Sequence, residues 1–238
     1  MRKYLIAAVA ALTVVAFAAV ASAQTPPASM KVKVKPKDAG TTSNPKNSSI
    51  HFEIVNNDTS RTMSKLAITT PKTFKLSAKG LKTCGEHTLE TRGPSACPKK
   101  SRVGEGVAHA LLGVGSATPT PLTFDVTPVV LGAKRIAFHL QSREFAELAP
   151  VAVGKLSPRK RRLTITVPDV AQQPFPNTWA GLVSLEATLK AKQGKHMLAS
   201  TTGCTKRKHK FSAKLTFVDN GVSEAGAVTT TGSSRCTK

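Results

Sequence analysis

What most limits the folds open to this chain is a succession of short runs rich in Val, Thr, Ile and Phe, punctuated by Pro, Gly, Asn and Ser. They fall at 49–56, 64–70, 103–112, 122–131, 134–140, 148–156, 161–167, 181–191, 196–202 and 209–218. Runs of this length and spacing suit strands, because β-branched and aromatic side chains pack well on a pleated surface. Ahead of them, MKVKVKPK at 30–37 alternates strictly, with Lys31, Lys33, Lys35 and Lys37 on one face and Val32 and Val34 on the other. This is the pattern of a half-buried strand. Pro36 assigns it to an edge, since proline donates nothing to a ladder. The expectation is an all-β fold, an antiparallel β-sandwich of Ig-like or jelly-roll-like type with one or two short helices.

The helical expectations fall at GEHTLETRG (85–93), which ends on a Gly-Pro stop, and at SREFAELAP (142–150), which ends on Pro150. Trp179 lies in the proline-stiffened loop 171–181 and is read as a plug over one end of the sandwich. The segment 221–238, rich in Ser, Thr and Gly, is read as a tail that frays unless Cys236 pins it.

Residues 1–23 have Arg2 and Lys3 before an apolar run and end on Ala21-Ser22-Ala23, the signature of a cleaved secretory signal peptide. The expected organisation is a signal peptide at 1–23, a flexible tether at 24–29 and a single β-sandwich domain over 30–238, with no transmembrane segment in the mature chain. Cleavage removes two cations and no acid, so the formal net charge of +22 falls only by two. In an oxidising compartment the four cysteines form two disulfides. Three pairings are possible, and local closure favours Cys84 with Cys97 and Cys204 with Cys236.

The segment 81–110 concentrates residues capable of chemistry: Cys84, Glu86, His87, Glu90, Cys97 and the glycines of VGEG. Zinc would need a fourth ligand beside Cys84, His87 and Cys97, and the paired C-x-x-C spacing is missing. A cysteine nucleophile needs a free thiolate, whereas each cysteine here has a partner. Neither a G-x-S-x-G elbow nor an HExxH helix is present. A Ser-His-Asp set assembled from distant positions would draw on His51, His109, His139 and Asp125, although His109 and His139 read as satisfied sheet residues. Glu86 and Glu90 have Lys82 and Arg92 as nearby salt-bridge partners. The glycines of VGEG lack a following helix and mark a bulge or a close backbone approach. The sequence therefore predicts no catalytic residue, no cofactor and no metal.

The run 93–108, through Pro94, Cys97, Pro98, Ser101, Val103, Gly104 and Gly106, resembles a C-P-x-x-S-x-V-G-x-G element that follows an earlier cysteine, here Cys84. The element belongs to a family of secreted β-rich proteins of high-GC actinobacteria. The end of the chain, with Cys204, FVDNG at 217–221 and Cys236, is similar to the end of those proteins. The resemblance spans roughly half of the mature chain. It implies a secreted β-rich domain, and it carries over no catalytic residue.

Two basic clusters remain, Arg159-Lys160-Arg161-Arg162 and Lys206-Arg207-Lys208 with Lys210, each beside a strand. Turn tips solvate such side chains cheaply, but the net charge exceeds what solubility needs. The leading expectation is a secreted or envelope-associated, non-catalytic protein. Its partner would be an anionic envelope or extracellular polymer, or a lipid headgroup surface, held through these eight residues. An extracellular hydrolase with a dispersed site is the alternative. A nucleic-acid binder is a further one, disfavoured because a mature chain with one tryptophan and no tyrosine has few rings for stacking.

Overall fold

The computed structural model describes residues 26–159, 161–219 and 223–237. The signal-peptide expectation at 1–23 lies outside these residues, as does Lys160.

The strands are β1 (Ala28–Lys35), β2 (Lys46–Asn47), β3 (Ser49–Asn56), β4 (Thr62–Thr69), β5 (Phe74–Leu76), β6 (Gly104–Leu112), β7 (Thr120–Gly132) and β8 (Arg135–Ser142). They continue as β9 (Val151–Leu156), β10 (Arg162–Thr166), β11 (Ala180–Leu189), β12 (Lys192–Gln193), β13 (His196–Met197), β14 (Ala199–Thr201), β15 (Lys208–Asp219) and β16 (Ser223–Arg235). Two short helices complete the set, α1 (Glu86–Arg92) and α2 (Asp169–Gln172).

Eleven strands form one antiparallel sheet in the order β1-β3-β11-β6-β7-β8-β9-β10-β4-β15-β16. The sheet curls until its two edge strands lie side by side. The Val34 amide donates to Ser234 Oγ at 2.9 Å. A little further along, Ala39 N donates to Thr237 O and Thr237 N to Lys37 O, a parallel bridge across the seam. The two layers of the expected sandwich are thus the two halves of one sheet. Closure covers the backbone groups that an open edge would present for aggregation. The alternation in β1 holds, with Met30, Val32 and Val34 buried and Lys31, Lys33 and Lys35 exposed.

Buried apolar side chains from ten of the eleven strands fill the interior, with half-buried Ala225 and Val228 of β16 packed against them; Phe52, Phe211 and Phe217, joined by Phe74 of β5, are among the largest fully buried. A second small cluster lies on the outer face, where α1 and the adjoining turns cover β7 and β8. There Leu89, Cys84 and Cys97 pack on Val129 and Ala137. This explains why β7 is buried on both faces over Pro128, Val129 and Val130.

Both expected disulfides are present, Cys84–Cys97 with Cα atoms 5.3 Å apart and Cys204–Cys236 at 5.8 Å. By loop-closure entropy each contributes about 3 to 4 kcal/mol. The opening cysteines are therefore a staple for α1. Gly104 and Gly106 mark a close backbone approach: a Cβ on either would collide with the carbonyl oxygen of Thr188 or Glu186 on β11.

Four expectations need correction. The tail read as held only by Cys236 is pinned by that bridge and is also a strand in its own right, β16, 13 residues paired with β15 from Lys208↔Arg235 to Asp219↔Ser223. Residues 142–150 are not helical. Ser142 Oγ accepts the amides of Glu144 and Phe145, while Ser142 N donates to Leu148 O, closing a tight return from β8 to β9. The second helix is instead α2. Glu86 pairs with Arg135 of β8, both carboxylate oxygens lying 2.6 Å from one Nη, and not with Lys82 or Arg92. Finally, β1 begins at Ala28, inside the segment read as tether.

Candidate functional site

Consecutive strands of the large sheet alternate in direction, so the connections between them fall in turn at two opposite ends of the barrel. One end receives 36–48, 70–103, 133–134, 157–161 and 190–207; the other receives 57–61, 113–119, 143–150 and 167–179. The first set holds 18 lysines and arginines, leaving aside Lys160, against the acids Asp38, Glu86 and Glu90. In the second set, Arg61 and Arg143 stand against Asp58, Glu144, Glu147 and Asp169. Both of those arginines are already engaged, Arg61 with Asp58 and Arg143 with Asp125.

Both basic clusters belong to the cationic end. In the first, Ser157 Oγ accepts the amides of Arg161 and Arg162, and Ser157 N donates to Arg162 O at 2.8 Å. The turn is thereby closed with Arg159 and Arg162 exposed, while Arg161 is half-buried and its Nε is enclosed without a partner. In the second, Lys206 and Arg207 adopt left-handed backbone, φ 52° and 56°, and Arg207 O accepts the amide of Cys236. The Cys204–Cys236 bridge therefore fixes the turn that presents these cations.

Register brings the clusters together. Arg162 lies opposite Thr69, and Thr69 opposite Ser212, so Arg162 and Lys210 are separated by two strand spacings sideways and two residues lengthwise. That is roughly 12 Å between Cα atoms, close to the Debye length of about 10 Å at 0.1 M salt. A polymer laid across this end would meet the two clusters as one field. Among the described residues, no carboxylate forms an ion pair with Arg159, Arg161, Arg162, Lys206, Arg207, Lys208 or Lys210.

The outward strand positions repeat the separation. Lys65, Lys155, Lys214 and Arg235 are exposed on β4, β9, β15 and β16. Four acids occupy the opposite side, Glu53, Glu186, Glu105 and Asp125 on the adjacent strands β3, β11, β6 and β7, with Asp219 at the far end of β15 as an exception.

Register sets Asp125 of β7 diagonally between His109 of β6 and His139 of β8, but among the described residues no hydrogen bond or ion pair joins the members of the dispersed set considered for catalysis. Asp125 is engaged by Arg143, whose guanidinium holds its carboxyl below the usual range. His109 Nδ1 lies 3.4 Å from Thr123 Oγ1, and His51 Nδ1 lies 3.1 Å from Thr188 Oγ1. His139 is not the satisfied sheet residue expected, because its Nδ1 is buried without a hydrogen-bond partner and burial lowers its pKa. His209 is in the same condition beside Phe74. Trp179 is half-buried at the acid-bearing end, where its carbonyl accepts the amides of Gly113 and Val114.

Inside that end lies a cavity of about 90 Å³ between the two halves of the sheet. Its walls include Leu66, Leu122, Phe124, Phe138, Ile165 and Leu185, with space left by Ala108, Ala110, Ala152 and Ala180. At about 24 cal/mol per Å³, such a hole costs about 2 kcal/mol against a filled core. Sequence reasoning missed it because small inward residues still read as ordinary strand positions.

No family model and no curated protein matches the chain. Among solved structures it is similar to a collagen-binding domain from a Staphylococcus aureus adhesin, at 9% identity and a TM-score of 0.35, over 89% of this chain and 98% of that one. The class that fold and site define is an all-β, disulfide-bonded barrel-like sandwich with its charge separated end to end. No helix among the described residues is long and apolar enough to cross a membrane.

Proposed function

We propose that this is a secreted, non-catalytic basic protein that associates electrostatically, through the cationic end of its barrel, with anionic polymers of the cell envelope or extracellular matrix. The observation that carries this reading is the arrangement of charge. Cations scattered for solubility would mingle with acids over the whole surface, whereas here both clusters and most cationic connections share one end. A directed field of this kind attracts and orients a polyanion.

Long-chain polyphosphate and isolated envelope polymer are suitable probes, measured across a salt series beside anionic vesicles and single-stranded oligonucleotides. A variant with Arg159, Arg162, Lys206, Lys208 and Lys210 changed to Gln should bind polyphosphate at least about tenfold more weakly at low salt, with a shallower salt dependence. Wild-type binding indifferent to salt, or a variant that binds as well as wild type, would sink the proposal. Tighter binding to oligonucleotides with a base preference would move the assignment to nucleic acid. A hydrolase with a dispersed site gains no support from the separate engagements of Asp125, His51 and His109.

A further inference from the structure

The polyanion reading leaves the cavity at the opposite end unused. No side chain lining it carries a nitrogen or oxygen atom, and the exposed lining is almost wholly apolar, which disfavours an ordered water, since that needs two to four polar partners. The space arises because Ala108, Ala110, Ala152 and Ala180 stand at inward positions where neighbouring strands place Leu, Phe and Ile. The lining passes from fully buried strand residues to half-buried Leu140, Val167, Ala171, Pro174 and Leu182, which mark the solvent side. Over that side the connection 143–150 meets the connection 167–179, with the rings of Phe145 and Phe175 edge to face at 5.4 Å.

We propose that this cavity is a binding site for a small uncharged molecule with an apolar ring or short alkyl chain, entering between residues 148–150 and 171–174. An enclosed apolar hole of about 150 Å³ stays dry and takes up benzene; at about 90 Å³ this space is of the same order. The charge of the entrance narrows the class further. No cation lines the cavity, and the two connections over its entrance carry Glu144, Glu147 and Asp169, with Arg143 held by Asp125. A carboxylate head group would find no partner there and like charges nearby, whereas a hydroxyl can remain in solvent at the mouth.

The test uses the mature protein with carbon-13-labelled methyl groups, titrated with benzene, hexanol and hexanoate, alongside thermal unfolding. Benzene and hexanol should produce saturable shifts at Met63, Leu122 and Leu185 and raise Tm by about 2–4 °C near saturation. Hexanoate should bind at least tenfold more weakly than hexanol. Ala110→Leu should fill the space and weaken benzene binding at least tenfold; Ala152→Val is the smaller change to use if the first does not fold. Absence of shifts at those methyls up to benzene saturation, equal shifts in a folded filled variant, or hexanoate binding as tightly as hexanol would each overturn the proposal.

Discussion

Ser234 Oγ accepts the backbone amide of Val34 at 2.9 Å, joining the last strand to the first across 200 residues of sequence. Both residues are buried at a seam where the strands do not form a regular ladder, so this hydroxyl takes the place of a strand partner for that amide. Ser234→Ala should destabilise the protein by about 1–3 kcal/mol, the cost of a buried donor left without an acceptor. Chemical unfolding measures the loss, and faster hydrogen exchange at Val34 locates it. Unchanged exchange there would show that the seam does not depend on Ser234.

Cys204–Cys236 bridges the start of β15 to the end of β16, and the two strands are also paired along nearly their whole length. Changing both cysteines to alanine should therefore lower stability by about 2–5 kcal/mol, with β16 still protected from exchange in the native state. The turn at Lys206 and Arg207 should lose order first, because its hold on Cys236 is local. If β16 exchanged freely in the variant, the bridge and not the ladder would be holding it.

The buried histidines set an acid-side pH dependence. Burial holds His139 and His209 below the usual 6.5. Between the folded pKa and 6.5 the unfolded chain binds more protons, so this stability is complete above 6.5 and declines as pH falls through that window. Asp58, Asp125 and Glu144 act later. Their pKa values are lowered by the Ser60 hydroxyl, the Arg143 guanidinium and the Thr123 amide respectively, so their share is lost only on acidification below about 4. Urea midpoints at pH 7.5 and 5.5 should differ, and His209→Gln should reduce the difference. A midpoint that rises on acidification would reverse the sign.

Most strands could be read in advance because alternation is local: it follows from how successive side chains leave a pleated backbone. The stop at Gly93-Pro94 and the pairing of the cysteines were legible for the same reason. β16 escaped because its close contact with β1 leaves little room for large side chains. A Cβ at Gly232 would come 2.8 Å from Met30 O, and Ser234 is spent on the seam. Its Thr, Ser and Gly therefore carry no apolar stripe. The helix expected at 142–150 failed because Ser142, well suited to a helix start, here closes a turn between adjacent antiparallel strands.

Charge was legible as a total but not as an arrangement. With 196–202 read as a strand of the sheet, counting alternate connections puts the two clusters at opposite ends; they share one end because β14 pairs with β2 and β5 outside the large sheet. The sequence by itself determined the all-β class, the local disulfides and the excess of cations, since each depends on residues near one another in the chain. Tertiary structure alone decided that β3 lies between β1 and β11, that β1 closes on β16, and that small inward residues of β6, β9 and β11 face one cavity. The physical reason is that strand neighbours are chosen by long-range packing of complementary faces, which no local pattern of residues encodes.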